Sequence, residues 1–597
     1  MKKHLILLSL PFLTFALSAQ ETIPPLLVQD SPLSISQSGG LDTSLAAYLR
    51  HEPGVQVIPQ GIAGGSSDLS IRGSAFSGAG LSFGGVSLRN PQTEHFHSDF
   101  PFPAWWLAAP EVRVGVQQAA RGEGHLAGTV ALTPLPMRNR RVVSGGVDSE
   151  GGFSLTGGLQ YVQETLHGNN FGLGTFAGFL DAPNVDSLGN DVESFRIGAQ
   201  MQHFTPLGQA DVWLGYQEKT FGTTGYYGVN PNFASEETTE DSLLLATFRT
   251  FDPDAPFDIS FMVREFKDDY RLDLPTGLFQ NEHTTNTRAV EAGYRHPVND
   301  LFGITGRASF DTEEIKSTNL GNFDRYRGTV TLLPDVLAHE TLRLFLGARA
   351  EFLEDFDNEF LPLARAEFTP GDTLLFYADY SESARRPSYT ELNYESPGSL
   401  GNAGLDVQTQ RSIEVGAQWQ PALHTFTSIA LFRHETKDTV DWIRSDAAAT
   451  RWQAENIGTV TTLGAELLLR QRVTEDLDVT GTLTLLDKDA DDEPFASRYA
   501  LDYARQILGI QLDWQIQEGL RLEANQSLRN QVDNSLRTRG GDRQYLTSLA
   551  LHARPEAIPQ MQVSLTASNL LDDDFRIFAG QDTYAERRFA ASVSYDW

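Results

Sequence analysis

From about residue 138 to its end, the chain repeatedly sets apolar residues at every second position and charges between them. In Leu342 to Phe352 the even positions are Leu342, Leu344, Leu346, Ala348, Ala350 and Phe352, and the odd ones include Arg343, Arg349 and Glu351. Leu520, Leu522 and Ala524 alternate with Arg521, Glu523 and Asn525 in the same way. Side chains of a strand point to opposite faces in turn, so one face here is apolar and the other carries full charges. A soluble sandwich buries the apolar face, whereas a membrane barrel turns it to lipid and keeps the charges in a wet lumen. Extent separates the two. The alternating region runs for roughly 460 residues without a change of character, and soluble all-β domains rarely exceed about 250. At about 21 residues per strand and connection, with strands of roughly 9–11 residues, the region makes about 22 strands. The final stretch fits the same class. Phe589, Ala591, Val593, Tyr595 and Trp597 share one face, and the chain ends on an aromatic residue.

The other end reads as an export signal. Lys2 and Lys3 precede a short apolar run from Leu5 to Leu17, and Ala16-Leu17-Ser18-Ala19 offers small residues for cleavage after Ala19. A buried N-terminal strand or helix is the alternative, and position and flanks favour the signal. No later apolar run reaches the ~18 residues of a membrane-spanning helix. The chain has no Cys, which removes disulfide scaffolds and thiolate metal sites. Its net charge of -32 disfavours nucleic-acid binding, which needs a positive surface. Residues 20 to about 136 are richer in Gly and Pro, with short strand-like pieces such as Asp68 to Arg72. A small α+β domain with long loops is expected there.

Several segments carry a resemblance. Leu45 to Val55 resembles an early helix ending in Pro-Gly-Val. Asp68 to Gly73 resembles a strand ending in Ile-Arg-Gly, and Gly85 to Thr93 a segment Gly-Val-x-Leu-x-Asp-Pro-Gln-Thr. Glu111 to Val114 and Gly122 to Val130 resemble a closing segment of the same domain. Further on, Tyr377 to Ser381 with Arg386 to Leu392, Trp452 to Gly458 with Leu463 to Glu466, and Ala567 to Asp572 are similar to barrel signatures. In this order and over nearly the whole mature chain, they are similar to the TonB-dependent outer-membrane receptors, in particular the subgroup like the cobalamin receptors. The resemblance implies a signal peptide (1–19), a periplasmic coupling segment with a TonB box (20–40), a plug domain (41–136) and an outer-membrane β-barrel (137–597).

It further implies energised import of a scarce solute, with a cobalamin-like corrinoid the favoured cargo and a ferric siderophore or haem the alternative. A passive porin and a barrel enzyme are weaker readings. His-Glu-x-x-His and phosphate-loop patterns are missing from the sequence, and no enzyme is expected. The implied partners are TonB with its inner-membrane energising complex, outer-membrane lipid, and a small-molecule or metal-chelate ligand taken up by a monomer.

The implied TonB box is an extended strip that would join its partner by strand addition. The candidate is Ile23, Leu26, Leu27, Val28 and Gln29. Pro24 and Pro25 lack N–H donors and shorten the pairing register. A disordered linker is the competing reading.

For the ligand, the most distinctive loop of the N-terminal domain is 90–100, with Asn90, Gln92, His95 and His97. His95 and His97 would share a face if extended, and could ligate a metal or haem iron, though a polar contact is the plainer role. Tyr226 and Tyr227, and the pair Trp105-Trp106, suit a large, partly apolar ligand, though interfacial girdle or packing is the plainer role residue by residue. Arg72 is expected to meet a carboxylate on the lumen wall or to stay solvated. Gly73, Gly85 and Gly122 would allow turns or close approach to that wall, with ordinary loop glycine the plainer role for any one of them. No cofactor is required, but an acidic loop with Asp181, Asp186, Asn190 and Asp191 is a candidate for structural calcium. Asp487, Asp489 and Asp491 have the first EF-hand spacings but lack the later Gly and Glu, and read as a solvated hairpin turn.

Overall fold

The computed structural model describes residues 41–597, apart from 42, 43, 51, 53, 61, 63, 97, 98, 166–168, 184–188, 228–231, 446–448, 492–494, 535, 536, 538–540 and 576–586. The expected signal and coupling segments, with the whole candidate box from Ile23 to Gln29, lie outside these residues, as do His97 and Asp186.

Twenty-two antiparallel strands close into a barrel, the first (Arg140–Asp148) pairing with the last (Arg588–Asp596). Closure leaves no edge strand with unpaired backbone groups, which a lipid-facing sheet cannot tolerate. The alternation has the sense of a membrane barrel. On Leu342–Leu353, Leu346 is 73% exposed while Arg349 and Glu351 are 0% and 2% exposed. Phe589, Val593, Tyr595 and Trp597 all face outward. Strand length departs from the expected 9–11 residues: Gly277–Asn299 has 23. The excess carries hairpins beyond the lipid-crossing zone, at the end where the long connections lie. The opposite end has two-residue turns such as 340–341 and 475–476.

The N-terminal residues form a domain within the barrel. A short helix (Leu45–Leu49) leads into a hairpin of Val55–Gln60 and Ser66–Ile71. A four-stranded sheet follows, ordered Val86–Ser87, Ala79–Phe83, Gly128–Leu132, Glu111–Arg113. Its central pair is parallel. Contacts to the wall run around most of the ring. Phe102 and Trp106 pack edge-on against Trp213 of the wall, with centroids 4.9 and 5.5 Å apart. Trp105 and Trp106 are therefore core packing between domain and barrel, not ligand surface.

Polar contacts anchor the domain elsewhere. Lys219 of the wall holds Asp99 at 2.6 Å, and Arg264 donates to the Leu88 carbonyl at 2.7 Å. Arg72 meets Glu414 at 2.6 Å and Glu466 at 3.0 Å, with its guanidinium 4.2 Å from the Phe432 ring centroid. The expected lumen partner of Arg72 is thus a pair of carboxylates on two strands.

Two glycines sit where a side chain would strike the wall. Gly73 (φ +71°) would place a Cβ 2.5 Å from Leu486, and Gly85 (φ +110°) would drive one into the Glu291 carboxylate. Both conformations also disfavour L side chains. Gly85→Val is expected to cost about 1–3 kcal/mol locally. A lower heat-modifiable fraction on semi-native gels would report it, and unchanged mobility and yield would count against the fit.

The domain does not fill the lumen evenly. Along Val192–Phe204 the inward side chains are fully buried, whereas along Ala504–Gln517 they are only partly so. A cavity of about 260 Å³ separates the hairpin from this second arc, lined by Arg50, Glu52, Gln511, Asn525 and Arg529. Burial pushes the Glu52 carboxyl up to about 7, against the pull of Arg470.

Two segments differ from expectation. Asp487 and Asp489 lie on the strand Leu477–Ala490, exposed on its outer face, and do not form a hairpin turn. Two-residue spacing on a strand puts both carboxylates on one face without curling the chain around an ion. Trp452–Asn456 is not a wall strand. It belongs to a four-stranded sheet outside the barrel, ordered Ser399–Leu400, Trp452–Asn456, Val440–Arg444, Ala496–Ser497.

Candidate ligand chamber

At the long-loop end, residues 88–96 of the N-terminal domain form the floor of a cavity of about 340 Å³. The floor is heavily braced. Gln92 closes an Asx turn on Asn90, its N–H donating to Asn90 Oδ1 at 2.9 Å. Glu94 lies between Arg89 at 3.0 Å and Arg385 at 2.6 Å. Gln92 Nε2 donates to Asp268 at 2.6 Å, and His95 Nδ1 is 2.7 Å from Asp68. His95 also stacks on Phe76, with centroids 3.9 Å apart. Glu94 and Phe96 both have positive φ, 63° and 67°. Backbone of this kind persists where its surroundings over-determine it, and it clusters at binding sites.

A loop from the wall completes the brace. Strand Leu374–Arg385 delivers Arg385, and the helix Tyr389–Asn393 follows it. Ser388 caps that helix in a reciprocal box with Glu391. Arg385 binds Glu391 at 2.8 and 3.0 Å, and the N–H groups of Tyr389 and Thr390 donate to the carbonyls of Pro91 and Gln92. Burial alone would raise the Glu391 carboxyl, but Arg385 outweighs it and holds the group below its usual range.

The walls are aromatic. Phe96, Tyr227, Tyr270, Tyr394, Trp442 and Tyr499 line the chamber. Tyr227 donates to Glu237 at 2.8 Å, and burial, then Glu237, push its hydroxyl well above the ordinary phenol value. The sheet outside the barrel hangs over this space, pinned by Asp441. Its carboxylate accepts from the Ser497 hydroxyl and from the N–H groups of Trp442, Tyr499 and Ala500.

Of the residues singled out from the sequence, Gln92, His95 and Tyr227 line the chamber. Asn90 and Tyr226 are buried outside its lining, Asn90 acting as the turn's acceptor. Asp181 ends a wall strand opposite Glu193, with Asn190 buried and Asp191 exposed nearby. Among the described residues no group of three or more His, Asp or Glu is placed to hold a metal ion. Phe76, Tyr270, Tyr394, Trp442, Arg498 and Tyr499 escaped the sequence reading. They come from strands and loops far apart in the chain, and only barrel closure brings them together.

A closed 22-stranded wall, apolar outside and charged within, enclosing a small α+β domain beneath long loops, defines an outer-membrane receptor fold. Residues 139–570 match the family model described as TonB dependent receptor-like, beta-barrel, and the chain belongs to this family. Its fold resembles a ferric enterobactin receptor (PfeA) variant from Pseudomonas aeruginosa, at 14% identity and a TM-score of 0.75, over 97% of this chain and 99% of that one. The siderophore receptor PirA from the same organism gives 16% identity and a TM-score of 0.65, over 93% and 95%. The FrpB iron transporter from Neisseria meningitidis gives 12% and 0.72, over 95% and 99%. No curated protein sequence matches the chain significantly. The expected likeness to cobalamin receptors finds no support in these structures, which are siderophore and iron receptors. The segment Gly85 to Thr93, which carries that resemblance, contributes Gln92 and Thr93 to the chamber lining.

Proposed function

We propose that this protein captures a ferric chelate outside the cell and imports it across the outer membrane with energy delivered by TonB. The carrying observation is the aromatic chamber over a braced loop of the N-terminal domain, closed below by that domain. Such a chamber can hold an organic chelate but cannot pass it until the domain moves. A passive pore would need an open lumen instead. In this reading the domain is the plug and the long-loop end is extracellular. The coupling segment 20–40, with Ile23 to Gln29 as its box, transmits the pull. The half-wet arc beside the hairpin is where the least packing must break. Similarity to siderophore and iron receptors supports a ferric siderophore over a corrinoid, with haem as a further iron-bearing candidate.

The test is titration of the purified protein with ferric enterobactin, a ferric trihydroxamate, haem and cyanocobalamin. Saturable binding of at least one iron complex, with none of cyanocobalamin, is expected. Tight cyanocobalamin binding with silence toward the iron complexes would overturn the cargo. A smaller effect is expected from Asp441→Asn, whose amide would face backbone donors. It should loosen the overhanging sheet and weaken binding by about tenfold. The dissociation constant of the tightest iron complex checks it, and an unchanged value would remove Asp441 from this role.

A further inference from the structure

The chamber holds charges that its own walls leave unmatched. Glu237 and Asp268 stand on neighbouring strands, Ser235–Thr250 and Phe257–Leu274, each 3% exposed. Tyr227 donates to Glu237 at 2.8 Å and Gln92 to Asp268 at 2.6 Å. Among the described residues no Lys or Arg makes an ion pair with either. Arg498 lies on the loop between strands Leu477–Ala490 and Ala504–Gln517, half the ring away. It is 9% exposed and stacks near Trp452 and Tyr499, at 5.6 and 5.0 Å. Among the described residues it has no carboxylate within ion-pair distance. The cations beneath the floor differ. Arg89, Arg325, Arg385 and Arg386 are all paired, with Glu94, Glu313, Asp311 and Glu391. The imbalance thus lies in the chamber and not in the floor beneath it: a buried carboxyl pair and a buried guanidinium line the same aromatic cavity.

Burying an unpaired charge is costly, and a ligand that supplies the opposite charge recovers part of that cost. We infer that the chamber takes a zwitterionic metal chelate, its carboxylate on Arg498 and its protonated amine on Glu237 and Asp268. This rests on the import reading and narrows its cargo. A carboxylate suits the flat guanidinium fork. An ammonium suits the carboxyl pair and the aromatic rings beside it. A polyanionic chelate would find one cation and a repelling pair, so the chamber selects against it.

A ladder of ferrioxamine probes tests this on the purified full-length protein. All share one neutral ferric trihydroxamate core. Their pendant amine is N-acetylated (no charge), free (ammonium), N-succinylated (carboxylate) or N-γ-glutamylated (both). Each matched charge is expected to tighten binding by about tenfold, so the γ-glutamyl probe binds best and the acetyl probe worst. Arg498→Gln should erase only the gain from the carboxylate, and Glu237→Gln only the gain from the amine. Should either variant fold poorly, the wild-type ladder still decides. A flat ladder, a carboxylate-only probe that binds best, or variants that weaken all four probes equally would overturn the inference. Silence toward all four beside saturable ferric enterobactin binding would remove the zwitterion and leave the import reading standing. Silence toward every iron complex would remove both.

Discussion

Cutting Arg385 back to alanine is expected to weaken capture of the tightest-binding iron complex by about a hundredfold, while the barrel still assembles. Arg385 is the common anchor of two elements. It joins Glu94 of the chamber floor to Glu391 of the helix that leans on that floor. All three side chains are buried. Removing one member of a buried ion network costs about 3–5 kcal/mol, because the remaining charges keep their desolvation without their partner. Most of that cost should fall on residues 88–96 and the helix Tyr389–Asn393, whose backbone contacts depend on this anchor. The wall strands keep their own ladders. Arg385→Lys should fall between wild type and Ala, since a point charge cannot serve both carboxylates with the guanidinium's fork. The dissociation constant and heat-modifiable gel mobility together check this. An affinity within twofold of wild type would show that the floor does not depend on Arg385.

The second large effect concerns energy. Leu27→Pro should abolish accumulation of iron inside the cell and leave binding at the surface unchanged. Strand addition to TonB needs backbone donors, and Pro24 and Pro25 already remove two from the strip. A third proline at its centre would leave too few for a ladder. Uptake at the wild-type rate would move the box elsewhere in residues 20–40.

The barrel was legible because its signal is periodic and local. Leu342 to Phe352 shows the outward and inward faces without any knowledge of neighbours, and so does the aromatic terminus at Trp597. The chamber was legible only in part, for a physical reason. Gln92, His95 and Tyr227 stand in distinctive local sequence, but their neighbours do not. Arg498 and Glu237 are unremarkable in the chain, and line one chamber only because the loop that bears Arg498 and the strand that bears Glu237 lie half a turn apart in a closed ring. Trp105 and Trp106 took the plainer of their two readings, as packing. An aromatic pair looks the same whether it greets a ligand or seals a domain against Trp213. Asp487 and Asp489 show the limit of spacing motifs, since the same intervals serve an ion loop or one face of a strand.

The central claim is import that depends on coupling. It is tested most directly by following iron, presented as the complex that binds best, into cells that carry the protein with and without TonB. The account predicts equal surface binding in both, and iron entering only the cells with TonB. Equal entry in the two would contradict it and identify the barrel as a passive pore.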